Sequence, residues 1–272
     1  MNTVKLNNGV VMPQLGFGVW QVPDAEAAPA VAEALEAGYR SIDTAAAYGN
    51  EAGTGQAIAE SGLARDDVFV TTKLWNSDQG YDSTLRAFDD SMRKLGLDVL
   101  DLYLIHWPAP GRDLYVDTWK AFAELREQGR VRAIGVSNFQ PGHLRRLIDE
   151  TGVTPAVNQI ELHPYLQQAE LRAFHAEHGI QTEAWSPLGQ GGELLSDPVV
   201  QKIALAHGKS AAQVVLRWHL QIGNVVIPKS VTPSRIRENI DVFDFELPEA
   251  ELEALSTLDR GGRIGPHPDE LD

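Results

Sequence analysis

Tyr39-Arg40-Ser41-Ile42-Asp43-Thr44-Ala45-Ala46-Ala47-Tyr48 decides between two α/β architectures. It begins as a β-rich run, ends that run at Asp43-Thr44, and passes through an alanine loop to Tyr48. An open, doubly wound sheet that holds a dinucleotide needs G-x-G-x-x-G after its first strand. This stretch has no such motif. Gly16-Phe17-Gly18 is a lone G-x-G and lies ahead of the strand, so it is weak evidence for anything.

The same alternation continues outward. β-rich runs are expected at Tyr39–Thr44, Val68–Lys73, Leu100–His106, Ala133–Ser137, Ala156–Glu161, Gln181–Trp185 and Val225–Pro228, with a weaker eighth near Val242–Phe245. Between them Ala25–Ala37, Ser83–Leu95, Val116–Gln128 and Gly142–Thr151 repeat apolar residues at helical spacing. Gly38, Gly96, Gly129 and Gly179 fall where such helices should stop. Strand then helix, repeated about eight times without a linker, predicts parallel βαβ units, and the missing dinucleotide motif favours closing them into a barrel over an open doubly wound sheet. Val4–Met12 reads as a hairpin with an Asn-Gly turn, placed to close the barrel bottom. No repeat, low-complexity tract or boundary divides the chain, so residues 1–272 are expected to form a single domain.

Bulk properties agree. The chain has 272 residues, close to the roughly 250 of one such barrel. No apolar run reaches about 18 residues, and the start lacks a basic n-region and apolar h-region, so neither a membrane span nor a secretory signal is expected. Cysteine is absent, which removes disulfides, thiol catalysis and thiolate metal sites. A cytoplasmic location is the simplest expectation. The formal net charge of -15 argues against nucleic-acid and anionic-membrane partners. Lys229 to Arg237 runs against that trend, with three basic residues and no acidic one. On composition alone it reads equally well as a solvated loop.

Active residues of such barrels gather at the C-terminal strand ends. Here those ends carry Asp43 with Tyr48 beyond it, Lys73, His106 with Trp107, Ser137-Asn138, Asn158, Gln159 and Glu161 with His163, Trp185-Ser186, and Lys229-Ser230. Taken singly, each has an ordinary structural reading. An Asp before a loop is usually a turn or cap, a Tyr a packed aromatic, a Lys a solvated charge. Four ionisable residues around three successive strand ends are harder to dismiss than any one. They show no H-x-x-x-H or similar ligand spacing, so no metal is expected.

These segments resemble the aldo-keto reductase family. The matching stretches are Tyr39–Ala45 with Tyr48-Gly49-Asn50-Glu51, Thr72-Lys73-Leu74-Trp75, and Asp101–Pro108. Ile134–Phe139, Asn158–Pro164 and Ile227–Ser230 follow in order, so the likeness covers nearly the whole chain. Trp185–Gly191 and His267-Pro268-Asp269-Glu270 are most similar to the bacterial branch that includes the 2,5-diketo-D-gluconic acid reductases.

The resemblance implies NADPH-dependent reduction of aldehydes and ketones, small dicarbonyls and keto-sugars among them, by a monomer. It implies a (β/α)8 TIM barrel and a tetrad of Asp43, Tyr48, Lys73 and His106. Carbonyl reduction needs a hydride at carbon and a proton at oxygen, and a phenol with pKa near 10 stays protonated at neutral pH. Lys73 is expected to lower the Tyr48 pKa, Asp43 to orient Lys73, and His106 to orient the carbonyl and share proton delivery at lower pH.

For the cofactor, the likeness assigns Ser137, Asn138 and Gln159 to the carboxamide, and Trp185 to stacking in place of a tyrosine common among relatives. Ser186, Leu188, Gln190 and Gly191 fall on the pyrophosphate path. Lys229, Ser230, Thr232 and Arg235 fall on the 2'-phosphate, and Glu238 and Asn239 near the adenine. Trp20, Trp75 and Trp107, with His106, are expected to rim the substrate pocket. With a short loop after Trp185 and a brief tail after Arg263, that pocket is expected to be open. Two alternatives remain at this point: a Schiff-base aldolase using Lys73, or a cofactor-binding regulatory subunit with little turnover.

Overall fold

Phe69–Leu74 and Leu100–Ile105 are buried at every position, as strands covered on both faces must be. In the computed structural model, which describes residues 2–272, they lie inside a closed parallel sheet. A hairpin of β1 (Thr3–Lys5) and β2 (Val11–Pro13) comes first, followed by eight barrel strands. These are β3 (Phe17–Gly18), β4 (Ser41–Asp43), β5 (Phe69–Leu74), β6 (Leu100–Ile105), β7 (Val131–Ser137), β8 (Val157–Glu161), β9 (Gln181–Trp185) and β10 (Val225–Val226). They pair in chain order from β3 to β10. A parallel bridge between Leu15 and Val226 closes the ring.

Outside the strands lie α1 (Asp24–Ala37), α2 (Glu51–Glu60), α3 (Tyr81–Leu95), α4 (Tyr115–Glu127), α5 (Pro141–Thr151), α6 (Ala169–His178), α7 (Pro198–His207), α8 (Ala211–Gln221), α9 (Pro233–Ile240) and α10 (Glu249–Ser256). Their apolar stripes bury Phe88, Trp119, Phe122 and Trp218 against the barrel's outer face. Each fully buried side chain of this size contributes about 1.5–3 kcal/mol. The four glycines expected to end helices all adopt positive φ. No helix among the described residues is long and apolar enough to cross a membrane.

The eighth strand is not where the sequence pattern placed it. Val242–Phe245 is irregular, with Val242 buried. The missing strand is Phe17–Gly18, inside the lone G-x-G. Its two residues are too few to show alternation. The glycines are there for closure, because the chain runs tightly between β4 and the end of β10. A Cβ on Gly16 would lie 3.0 Å from Ser41 Oγ, and one on Gly18 3.2 Å from the Ile227 carbonyl oxygen. The Gly16 and Gly18 N–H groups donate across the seam to the Val226 and Pro228 carbonyls.

The hairpin closes the bottom as expected. Gly9, at φ +88°, forms its turn. Leu6 and Met12 pack against Phe69, Leu102, Ala133, Val157 and Val225 in a separate apolar layer. The polar site therefore lies toward the other end, where the strands finish.

Candidate active site

β4, β5, β8 and β9 bring one ionisable or amide side chain each to a shared cluster inside the barrel. Asp43, Lys73, Gln159 and Glu183 are all at most 2% exposed. Burying an ammonium is costly unless it is paired and hydrogen-bonded, and Lys73 is fully committed. Its Nζ donates to Asp43 Oδ1 at 2.6 Å, to the Thr44 carbonyl at 3.0 Å and to Tyr48 Oη at 3.3 Å. An ammonium has three protons and no lone pair. The Tyr48 hydroxyl thus receives from Lys73 and keeps its own proton for another acceptor.

Tyr48 sits in a helical turn just past β4, half-buried. Its ring meets His106 edge-on at 5.6 Å between centroids. Burial pushes the phenol above its usual pKa of 10; Lys73 pulls the other way, and Asp43 and Glu183 add to the upward push. The net direction is the reverse of that expected from Lys73 alone, because desolvation outweighs the ammonium. The side chain is only half-buried, so water screens part of this effect.

Burial works to lower the Lys73 pKa, but Asp43, Tyr48 and Glu183 together more than offset it, and the ammonium stays charged. Burial, reinforced by Lys73, drives the His106 pKa well below 6.5. His106 is therefore neutral at mildly acid pH as well, the form in which it was expected to act. Its Nδ1 has no partner. Trp75 packs edge-on against it at 5.2 Å. Trp107 lies 6.5 Å from both His106 and Trp185. Trp20, just past β3, is exposed at the same end.

Ser137, Asn138 and Trp185 form one unit. Asn138, at φ +64°, donates to the His106 carbonyl and Ser137 Oγ, and its Oδ1 accepts from the Trp185 indole at 2.8 Å. Ser137 donates to the Gln159 carbonyl at 2.7 Å. Gln159 Nε2 donates to Asp43 Oδ2 at 2.8 Å and Glu183 Oε2 at 3.0 Å. Both its protons are therefore used, and only its oxygen end remains for a ligand.

Beyond Trp185 the chain turns sharply. Ser186, Gly189, Gln190 and Gly191 all have positive φ, the kind of backbone that forms anion-binding concavities. On the next strand end, Lys229 and Arg235 are exposed, and among the described residues neither forms an ion pair, whereas Arg237 is held by Glu33 at 2.7 Å. Two unpaired cations in so acidic a chain suit an anionic group. Ser230 Oγ accepts from the Thr232 N–H, fixing the entry to α9, which carries Glu238 and the buried Asn239.

Two acids received no role from the sequence. Glu161, fully buried, accepts from the N–H groups of Ile264 and Gly265 at 2.7 and 2.9 Å and contacts His163 at 3.0 Å. Burial opposes its ionisation, but His163 and the two N–H groups hold its pKa below the usual value. The tail is thereby clasped onto Trp185, so close that a Cβ on Gly265 would lie 2.6 Å from the indole. Glu183 is the other; burial and the Asp43 charge push its carboxyl up to about 8. The available signal was strand alternation, since Glu183 shares a strand face with Trp185 and Glu161 with Gln159.

Fold and site together define a barrel enzyme with its ionisable residues gathered at the C-terminal strand ends. Residues 13–260 match the aldo/keto reductase family model. The chain belongs to the aldo/keto reductase family. It is 63% identical to an aldo-keto reductase of Mycobacterium sp. (strain KMS), over 97% of this chain and 96% of that protein. It is 56% identical to the methylglyoxal reductase DkgA of Escherichia coli (strain K12), over 98% and 97% respectively. A crystal structure of a Gox0644 variant in complex with NADPH aligns with TM-score 0.96 at 52% identity, covering all of this chain and 98% of that one.

Proposed function

We propose that the protein reduces small aldehydes and ketones with NADPH, using Tyr48 to protonate the carbonyl oxygen. The observation that carries this reading is the Lys73–Tyr48 hydrogen bond, which leaves the phenol proton facing away from the ammonium. Family membership, the methylglyoxal reductase relative and the NADPH-bound neighbour support the reaction class and the cofactor.

Bound nicotinamide supplies the hydride. Trp185 would offer it a flat face, and Ser137, Asn138 and the oxygen of Gln159 would hold its carboxamide. Ser186, Leu188, Gln190 and Gly191 lie along a loop whose positive φ values suit a pyrophosphate. Lys229, Ser230, Thr232 and Arg235 suit a 2'-phosphate, which an unpaired Arg can grip bidentately. Glu238 and Asn239 are within the same helix for the adenine end.

The rest is done by the chain's own groups. Lys73 stays charged, so it stabilises negative charge as the Tyr48 proton leaves. Asp43 fixes Lys73. Neutral His106 hydrogen-bonds the carbonyl oxygen and orients it. Trp20, Trp75 and Trp107 give the pocket an apolar rim that suits small dicarbonyls and keto-sugars. A Schiff-base role for Lys73 is opposed by its burial and three committed protons, since an attacking amine needs a free lone pair.

The test is NADPH consumption with methylglyoxal, 2,5-diketo-D-gluconate and an aromatic aldehyde, compared by kcat/KM, with NADH run in parallel. Turnover with at least one and a clear preference for NADPH is expected. NADPH binding without turnover on any carbonyl would sink the reading.

A further inference from the structure

The buried cluster holds one ammonium and two carboxyls, and a single amide ties the carboxyls together. Gln159 and Glu183 are register partners on β8 and β9, so the amide reaches Glu183 directly and Asp43 across the barrel. The result is a continuous chain from Glu183 through Gln159, Asp43 and Lys73 to Tyr48. Asp43 has the ammonium at 2.6 Å. Glu183 has only the amide, and its Oε1 is buried without a partner. A carboxylate with a bare buried oxygen is far costlier than a carboxylic acid in the same place.

We propose that Glu183 is a positioning residue which, by carrying a proton, keeps the Asp43–Lys73–Tyr48 relay at one carboxylate per ammonium. This rests on the reading of Tyr48 as the proton donor. The groups facing Glu183 are few. Asp43 comes from β4, Lys73 from β5 and Tyr48 from the turn after β4, while Gln159 on β8 and Val225–Val226 on β10 are uncharged. Glu161, further along β8, is engaged by His163 and the tail instead. When Glu183 loses its proton, a second negative charge joins the pocket behind Lys73. That charge holds the phenol proton more tightly, and Tyr48 becomes a weaker acid toward the carbonyl. Gln159 is then drawn between two carboxylates, and its grip on Asp43 slackens.

Two measurements test this. Infrared difference spectroscopy on the cofactor-free protein, with and without isotope-labelled glutamate, should show a protonated carboxyl that disappears as pH rises through about 8. The band should be missing in Glu183→Gln. In steady-state reduction, wild-type kcat should fall by on the order of three- to tenfold across that same range. In Glu183→Gln the profile should stay level there, whatever its height. An unchanged alkaline limb in that variant, or no protonated glutamate in the wild type, overturns the proposal. The infrared result needs neither turnover nor a folded variant. A wild type inert toward carbonyls would instead sink the proposed reaction, while the band still judged the protonation of Glu183.

Discussion

Lys73 Nζ lies 3.3 Å from Tyr48 Oη and donates to it, while the same nitrogen gives its other protons to Asp43 and Thr44. The bond therefore has one direction. It fixes which way the phenol proton points before any ligand arrives.

Removing that hydroxyl should separate binding from chemistry. Tyr48→Phe is expected to bind NADPH with near wild-type affinity and to lose about 10²–10⁴-fold in kcat. Fluorescence titration and steady-state reduction measure the two. Near-normal turnover would take Tyr48 out of the mechanism.

Lys73→Met should do more damage than the loss of activity alone. It leaves Asp43 as a buried charge whose ammonium is gone. Breaking a buried pair from one side costs about 3–5 kcal/mol, read as a lower urea midpoint at unchanged slope. A Lys73→Met/Asp43→Asn double variant should recover part of that stability without recovering turnover.

Arg235→Ala should raise the NADPH dissociation constant by roughly tenfold or more, as expected for losing a charge-assisted hydrogen bond, and leave the NADH constant nearly unchanged. An equal effect on both cofactors would place Arg235 away from the 2'-phosphate.

Acid stability should follow the buried histidines. Burial lowers His175 and His219 from 6.5 to about 3, and His106 also moves down. Between those values the unfolded chain binds more protons than the folded one, so stability falls as pH falls. The slope should be on the order of 1 kcal/mol per pH unit for each histidine. Urea unfolding from pH 6.5 downward should be less steep in pH for His175→Gln than for the wild type.

Glu161→Gln should loosen the tail. It removes the charge that receives the Ile264 and Gly265 N–H groups. Those two amides are expected to exchange hydrogen about 10–100-fold faster, the range for weakening a hydrogen bond to a charged group. Amides in β5 and β6 should keep their rates.

Much of the barrel was legible because each strand is a short apolar run followed by a helical stripe. Asp43, Lys73 and His106 stood out as ionisable residues where such runs stop. Phe17–Gly18 was hidden by its length, since two residues carry no period. The direction of the Tyr48 shift was hidden because desolvation depends on how much chain surrounds the ring. Asn138 looked like a free ligand for a carboxamide; its commitment to Trp185 and His106 is a contact between strand ends that no local pattern records. Glu183 was written in the sequence as a charge in mid-strand, but its meaning depends on Gln159 standing in register beside it.

The hairpin at the bottom gives the molecule a division of labour that protein engineering can use. Leu6 and Met12 cap one end with an apolar plug, and none of the residues assigned to chemistry belongs to that layer. If Trp20 and Trp107 rim the pocket as proposed, selectivity can be varied there while the plug is left untouched. A library confined to the open end can explore new carbonyls with thermal tolerance left as a separate variable, adjusted afterwards by repacking the closed end.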